Sequence, residues 1–384
     1  MDNLFFTDEH IMIRDMVREF ADTEITPVAR DLDEQGEFPT ALVNKMGELG
    51  LMGILIPEEY GGSGLDMVAF ATAIIELARA DASVAITMAA HTSLGSLPIL
   101  MFGSEEQKNT YLPKLATGEM LGAFGLTEPD AGSDAGATKT KAVRDGDEYV
   151  VNGGKIFITN AGKAGVLSFT SQVIENGKNL GIAAFSISTN TPGLEIGPKE
   201  KKMGWRASDT RQLFFKDMRI KATSMLGTPT NGFKTFLKTL TSGRVSIGAL
   251  SIGTALGAYE RALAYSTERI AFGKPINNFQ SVGFKLADMA TKIEASKLLV
   301  FHAAWMKDQG LDITKEAAMA KLFASETAME VTTEAIQIHG GYGYVKEHDV
   351  ERFFRDAKIL EIGEGTSEIQ RLIISREILK EFQI

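Results

Sequence analysis

The chain has 384 residues, 44% of them apolar and 23% charged, enough for two or three domains around a large buried core. With 50 acidic against 40 basic residues its net charge is −10, which leaves no electrostatic footprint for nucleic acid and means that a polyanionic ligand would need a local basic pocket. The absence of cysteine excludes disulfides, thiolate metal sites and a cysteine nucleophile together.

At the N-terminus Asp2, Asp8 and Glu9 stand where a secretory signal would be basic, and no apolar core follows, so a cytoplasmic protein is expected. No uninterrupted apolar run approaches the ~18 residues of a membrane span. The nearest, 51–56, is broken by Gly53 and stopped by Pro57. From Thr7, a plausible N-cap, Ile13, Met16, Val17 and Phe20 follow helical spacing, with Asp8 and Glu9 in the first turn. Helical patterns recur over 42–50, 67–80 and 84–102, and Ser104 with Gln107 forms a capping box before another helix. The glycine-rich stretch 57–64 does not join a buried strand to a helix in a nucleotide-binding pattern and reads as a loop.

Near Leu121 the texture changes. Asp145-Gly146, Asn152-Gly153 and Asn176-Gly177 are hairpin-type dipeptides separating runs rich in Val, Ile, Phe and Thr, which predicts an antiparallel β domain over roughly 121–225. After Asn231-Gly232 helical patterns return over 233–264, 279–307, 315–338 and 366–382, each longer than the ~11–12 residue average, as in a packed bundle. The expected order is an N-terminal helical domain (1–120), a β domain (121–230) and a C-terminal helical bundle (231–384). A bundle split by an inserted β domain has a cleft where the two meet, and such clefts are favoured ligand sites.

Several short stretches carry possible chemistry. Glu364 lies between Gly363 and Gly365; Thr366 or Ser367 can cap the helix that follows, and Ser367 with Gln370 has capping-box spacing, so Glu364 should sit just outside a helix N-terminus. Taken alone, such an acid reads as a complement to the helix dipole. The stretch from Phe124 to Asp134 is rich in hydroxyls and small residues, equipment for a ring edge and a phosphate, or simply a polar turn. Further along stand Lys155-Ile156-Phe157-Ile158-Thr159-Asn160, then 202–210, then Arg269 to Pro275, Gln280, and Gln337-Ile338-His339-Gly340-Gly341. Singly, Arg269 reads as a surface cation, Gln280 as a polar helix residue and His339 as a packed histidine. The five histidines, at 10, 91, 302, 339 and 348, have no metal-ligand spacing, so no metal is expected.

Together and in this order, these motifs resemble the acyl-CoA dehydrogenase family, flavoenzymes that oxidise acyl-CoA thioesters to enoyl-CoA. The resemblance runs from Pro57-Glu58-Glu59-Tyr60-Gly61-Gly62 to Glu364-Gly365-Thr366. It implies a helical domain, a central antiparallel β barrel and a C-terminal four-helix bundle, in agreement with the pattern above. It implies that FAD is held by Phe124, Leu126, Thr127, Ser133, Phe157, Ile158 and Thr159, with the Thr127 and Thr159 hydroxyls toward the flavin and Ser133 also touching the CoA chain. Thr366 and Glu368 would be further FAD contacts. Arg269, Phe272, Gln280, Gln337, Gly340 and Gly341 would reach the FAD of a neighbouring subunit, which implies a homotetramer. Glu364 would remove the α-proton while a β-hydride passes to flavin N5, with the backbone N–H of Glu364 and a ribityl hydroxyl polarising the thioester carbonyl. Thr241, Arg244, Gly363 and Gly365 would face the substrate, and an electron-transfer flavoprotein would accept the electrons. The same fold could instead serve an oxidase or another flavin-dependent acyl-CoA enzyme, or a non-catalytic scaffold.

Some relatives carry the base immediately before the arginine corresponding to Arg244; here that position is Gly243, which leaves Glu364. For the base to work, burial beside an acyl chain must outweigh the helix N-terminus and raise its pKa from about 4. Two positions depart from the short-chain pattern. Gly363 replaces a usual Tyr, which suggests room for a branched or cyclic acyl group, and Thr241 replaces an Asp toward the CoA adenine.

Overall fold

A computed structural model describes residues 2–228 and 232–382; the expected boundary at 230/231 and Asn231 lie outside the described residues. Among the described residues, eight α-helices come first: α1 (Asp2–Phe5), α2 (Asp8–Phe20), α3 (Ala29–Gln35), α4 (Thr40–Glu48), α5 (Met67–Ala80), α6 (Ala82–Ala90), α7 (Leu97–Phe102) and α8 (Glu105–Ala116). Thr7 and Ser104 close capping boxes with His10 and Gln107, so both expected helix starts are realised by reciprocal side-chain bonds. Every residue of α5 except Arg79 is buried. The segment Ala82–Phe102, within which one helix was expected over 84–102, contains a π-helical turn at His91–Ser96 and is the described helix long and apolar enough to cross a membrane. It is 83% buried in the protein, so its apolarity serves the core.

Eight strands follow: β1 (Leu121–Gly125), β2 (Lys141–Asp145), β3 (Glu148–Thr159), β4 (Ala164–Glu175), β5 (Lys178–Ser188), β6 (Leu194–Lys199), β7 (Thr210–Lys221) and β8 (Met225–Leu226). They form one sheet in the order β6-β7-β3-β2-β4-β5-β8, with β1 added beside β4. The sheet is mixed, not wholly antiparallel, because β1 and β2 both run parallel to β4. Turns at Asp145-Gly146 and Asn176-Gly177 connect strands as expected, but Asn152-Gly153 lies inside the long β3. There the register against β7 shifts, and Asn152 exchanges hydrogen bonds with Asp217, donating from its side-chain amide at 3.0 Å and accepting the Asp217 N–H at 2.9 Å. The Asn-Gly pair marks a bulge, the other common use of glycine in a strand.

The C-terminal part comprises α9 (Gly232–Glu268), the two-residue strands β9 (Ile270–Ala271) and β10 (Lys274–Pro275), α10 (Gln280–Asp308), α11 (Thr314–His339), α12 (Val350–Ala357) and α13 (Ser367–Glu381). The main core joins both helical parts, from Val17 and Phe70 through Leu250 to Val331 and Phe353. Helix α9 lies against α5 with almost no side-chain spacer. A Cβ at Gly253 would stand 2.4 Å from the Ile75 carbonyl oxygen, and one at Gly257 would stand 2.4 Å from that of Arg79. The β domain has its own core around Phe169, Phe185 and Phe215.

Buried polar groups tie the three parts together. His91 bridges helix to sheet: its Nε2 faces the Met52 and Leu115 carbonyls at 3.2 and 3.0 Å, and its Nδ1 faces the Gly122 N–H at 3.1 Å. Burial pushes the imidazole down to about 4, so it is neutral. On α12, Arg352 donates to Asp81 at 2.7 Å, Arg355 donates to Asp33 at 2.7 Å, and Asp356 accepts the Trp205 backbone N–H at 2.6 Å. Helix α12 is thus keyed to α6, to α3 and to the loop before β7. It leads directly to Glu364.

Candidate active site

After α12 and a 3-10 turn (Lys358–Glu361), the chain turns sharply, with the Gly363 N–H donating to the Ile359 carbonyl at 2.7 Å. Glu364 then adopts φ 53° and Gly365 φ 98°, two successive residues in the left-handed region. Glycine tolerates this, but a glutamate there costs about 1–2 kcal/mol. Such a conformation persists where the surroundings over-determine it. Here the Gly365 carbonyl accepts from both Gln370 Nε2 and Lys321 Nζ, each at 2.8 Å. Thr366 is the N-cap of α13, its side chain accepting from the Ile369 N–H. The expected Ser367–Gln370 capping box does not form, because Ser367 is already inside the helix and Gln370 turns back to the loop carbonyls.

Glu364 as a residue is partly exposed, yet its Oε2 is sealed from solvent and has no hydrogen-bond partner. Gly243 makes this possible, for a Cβ there would lie 2.0 Å from that oxygen. Leu94 Cδ2 would lie 3.4 Å from that same Cβ position, so an apolar group lines the space next to the acid. Burial raises the Glu364 carboxyl to about 7, against the opposing charges of Lys321 and then Arg244. Burial thus outweighs two nearby buried cations, which the sequence did not point to, before any acyl chain is present. Arg244 is 6% exposed, with its Nη1 3.4 Å from Thr241 Oγ1, and burial lowers its pKa while Glu364 raises it. Lys321 is fully buried on α11, and burial lowers its amine to about 8. A buried, proton-accepting carboxylate beside apolar wall and cations can abstract a weakly acidic proton near neutral pH.

A second group gathers at the start of the β domain. Phe124, on β1, stacks on Phe236 of α9 with ring centroids 4.1 Å apart. The following loop is joined to β3 by the Ile156 N–H donating to the Thr127 carbonyl at 2.9 Å. This brings Leu126 and Thr127 beside Phe157, Ile158 and Thr159. Phe157 is 63% exposed with φ 60°, while Ile158 beneath it is buried. An exposed aromatic ring in a strained conformation, with threonines on either side, fits a flat heteroaromatic ring with a polar edge. Ser133 is exposed on the loop beyond. The loop is anchored by a buried ion pair: Lys155 Nζ donates to Glu128 at 2.7 Å and to the Leu126 carbonyl at 3.1 Å. Glu128 also accepts the Lys139 N–H at 2.6 Å.

A third group lies on the surface. Arg269, Gly340 and Gly341 line a cavity of about 540 Å³ together with Tyr265, His339 and Tyr342. The Arg269 guanidinium sits 5.6 Å over the Tyr342 ring. Gln280 and Gln337 are exposed, and Phe272 is 96% exposed with φ 52° on the β9–β10 turn. His339 is packed, stacking on Tyr265 at 4.3 Å and pairing with the Ala335 carbonyl. Glu368, in the first turn of α13, is exposed, and the helix-end amide and the Thr366 hydroxyl hold its carboxyl low. Among the described residues no cluster of His, Asp and Glu could hold a metal ion.

Comparison with known proteins decides what this arrangement belongs to. The acyl-CoA dehydrogenase N-terminal, middle and C-terminal domain families match residues 7–119, 123–218 and 230–379. A probable acyl-CoA dehydrogenase of Bacillus subtilis is 54% identical over 98% of this chain and 100% of its own. The chain belongs to the acyl-CoA dehydrogenase family. Among solved structures, butyryl-CoA dehydrogenase from Megasphaera elsdenii superposes with TM-score 0.94 at 43% identity, covering 97% of this chain and 98% of its own. A chain solved in work on the electron-transferring flavoprotein of Acidaminococcus fermentans and flavin-based electron bifurcation superposes with TM-score 0.95 at 45% identity, with the same coverage. Within this family frame, two residues that sequence reasoning missed stand out. Lys321 interrupts the buried alanine stripe Ala317, Ala320, Ala324 and Ala328, an anomaly visible in the sequence. Glu128 stood inside the Phe124–Asp134 motif, but its buried partner Lys155 could not be paired with it from spacing.

Proposed function

We propose that this protein uses FAD to dehydrogenate an acyl-CoA thioester to trans-2-enoyl-CoA, with Glu364 as the base for the α-proton. One observation carries the reading: the Glu364 carboxylate oxygen is sealed and unpartnered in a space that only a glycine at 243 leaves open. Its carboxyl titrates near 7, where ionised base and proton affinity coexist. FAD, when bound, supplies the acceptor for the β-hydride. Phe157 and the hydroxyls of Thr127 and Thr159 would hold its ring, and Thr366 and Glu368 lie beyond Glu364 for further contact. The backbone N–H of Glu364 would donate to the thioester carbonyl as negative charge develops on it. Arg244 would steady charge beside the base, and Ser133 and Thr241 would meet the CoA portion. Arg269, Phe272, Gln280, Gln337 and the Gly340-Gly341 turn, all on the exposed face, would serve the FAD of a neighbouring subunit in a homotetramer. The structural likeness to a chain from electron-transferring flavoprotein work supports such a flavoprotein as electron acceptor.

A short acyl chain is the starting expectation, from the likeness to a butyryl-CoA dehydrogenase. Gly363 widens it. Its backbone needs no glycine, since a Cβ there would meet only Ile359, at 3.4 Å and beyond, so the missing side chain leaves space rather than relieving strain. We expect branched or cyclic thioesters to be accepted alongside butyryl-CoA. The test is anaerobic bleaching of the FAD-loaded protein by a panel of acyl-CoA thioesters. Bleaching with enoyl-CoA formation supports the reaction; failure with every thioester contradicts it. A butyryl-CoA specificity constant far above every branched or cyclic substrate contradicts the wide pocket alone.

A further inference from the structure

The Glu364-Gly365 turn is held from outside the loop by a residue on another helix. Lys321 projects from the first third of α11, is fully buried, and has its amine 2.8 Å from the Gly365 carbonyl oxygen. No carboxylate lies within ion-pairing distance of it among the pairs formed by the described residues. A buried ammonium with a backbone carbonyl as its partner is costly unless something else in the site uses the charge. The charged groups facing it gather in this corner: Glu364 in the turn, Glu361 before it, Arg244 on α9, Glu326 on α11, which is paired with Arg371 at 2.6 Å, and Glu368, exposed in the first turn of α13. Glu361 is likewise paired, with Lys358 at 2.6 Å. With Glu368 in solvent, that leaves the unpartnered Glu364 carboxylate as the buried negative charge the Lys321 ammonium serves.

We infer that Lys321 is a positioning residue for the reaction: by holding the Gly365 carbonyl it fixes the left-handed Glu364-Gly365 turn that aims the carboxylate and the Glu364 backbone N–H at the substrate, and its charge keeps the base ionised. Gln370 shares the first task, since its Nε2 donates to the same carbonyl, but it carries no charge and cannot share the second. The two donors therefore predict different signatures. Loss of Gln370 loosens the turn without moving the titration of the base. Loss of Lys321 does both, and the sign is fixed: removing a nearby positive charge raises the carboxyl pKa, so the acid limb of the rate profile moves to higher pH.

The test compares Lys321→Met, Lys321→Arg and Gln370→Leu in the FAD-loaded protein with butyryl-CoA, recording kcat, KM and the pH profile of kcat. Lys321→Met should lose at least tenfold in kcat, keep KM within about threefold, and move the acid limb up by half a pH unit or more. Lys321→Arg, which keeps the charge, should restore the position of the limb even where kcat stays low. Gln370→Leu should lower kcat with the limb unmoved. An acid limb in Lys321→Met within 0.2 pH units of wild type, or kcat within twofold, overturns the inference. If Lys321→Met does not accumulate as folded protein, Lys321→Gln is measured against the same thresholds, and Gln370→Leu at wild-type kcat then overturns the geometric half. The inference rests on Glu364 being the base. If Glu364→Gln retains turnover that reading fails, whereas an inactive Glu364→Gln beside an unmoved Lys321→Met profile refutes Lys321 alone.

Discussion

At the residue scale, the proposed base is made by subtraction. Gly243 has no side chain, so the Glu364 carboxylate can lie against α9 where water cannot reach its Oε2. A Gly243→Ala substitution puts a methyl 2.0 Å from that oxygen and must displace it. We expect kcat to fall by about tenfold or more while FAD content is unchanged, since a misplacement of about 1 Å is worth on the order of 10²-fold. Burial also dictates the pH response. Because the folded-state pKa of Glu364 is raised to about 7, the ionised proposed base is lost as pH falls through that value, and kcat/KM should fall with an apparent pKa near 7. A profile flat from pH 6 to 8 would contradict this. The same shift carries a cost in stability. An acid whose pKa is raised on folding binds more protons folded than unfolded between about 4 and 7, so its contribution destabilises the fold as pH rises through that window.

At the element scale, the helices were legible and parts of the sheet were not. Apolar spacing and caps placed α5 at its observed limits and α9, α10, α11 and α13 within a few residues, because a long helix repeats its signal over many turns. Asn152-Gly153 misled, since glycine marks bulges as well as turns and only the partner strand distinguishes them. The parallel pairing of β1 and β2 with β4 joins strands distant in sequence, which no local pattern reports. In the candidate site, Glu364, the Phe124–Ser133 loop and Phe157–Thr159 stood out as motifs in the sequence. Lys321 and the Lys155–Glu128 pair were not, since they depend on which side chains meet across elements. That pair predicts a stability effect. Lys155→Met leaves Glu128 charged without its cation at 5% side-chain exposure, held only by the Lys139 and Thr140 backbone N–H groups, so we expect about 3 kcal/mol of destabilisation, read from denaturant midpoints. Loss of FAD affinity should accompany it, because Lys155 also holds the Leu126 carbonyl.

At the scale of the whole molecule, the three parts converge on one short turn. Helix α12 is keyed to the N-terminal helices by Arg352 and Arg355 and to the β domain by Asp356, and it delivers the chain to Glu364. Arg269 and the Gly340-Gly341 turn line a different, exposed cavity, the arrangement expected if a second copy supplies the ligand there. Arg269→Ala should therefore leave the fold intact and lower the flavin-to-protein ratio after gel filtration, more so on dilution; unchanged flavin retention would contradict the shared-site reading. The central claim is narrower and can be met directly. Anaerobic stopped-flow of FAD-loaded Glu364→Gln with butyryl-CoA should show ligand binding but bleaching slowed by about 10²–10⁴-fold against wild type. Bleaching at the wild-type rate would contradict the assignment of Glu364 as the base.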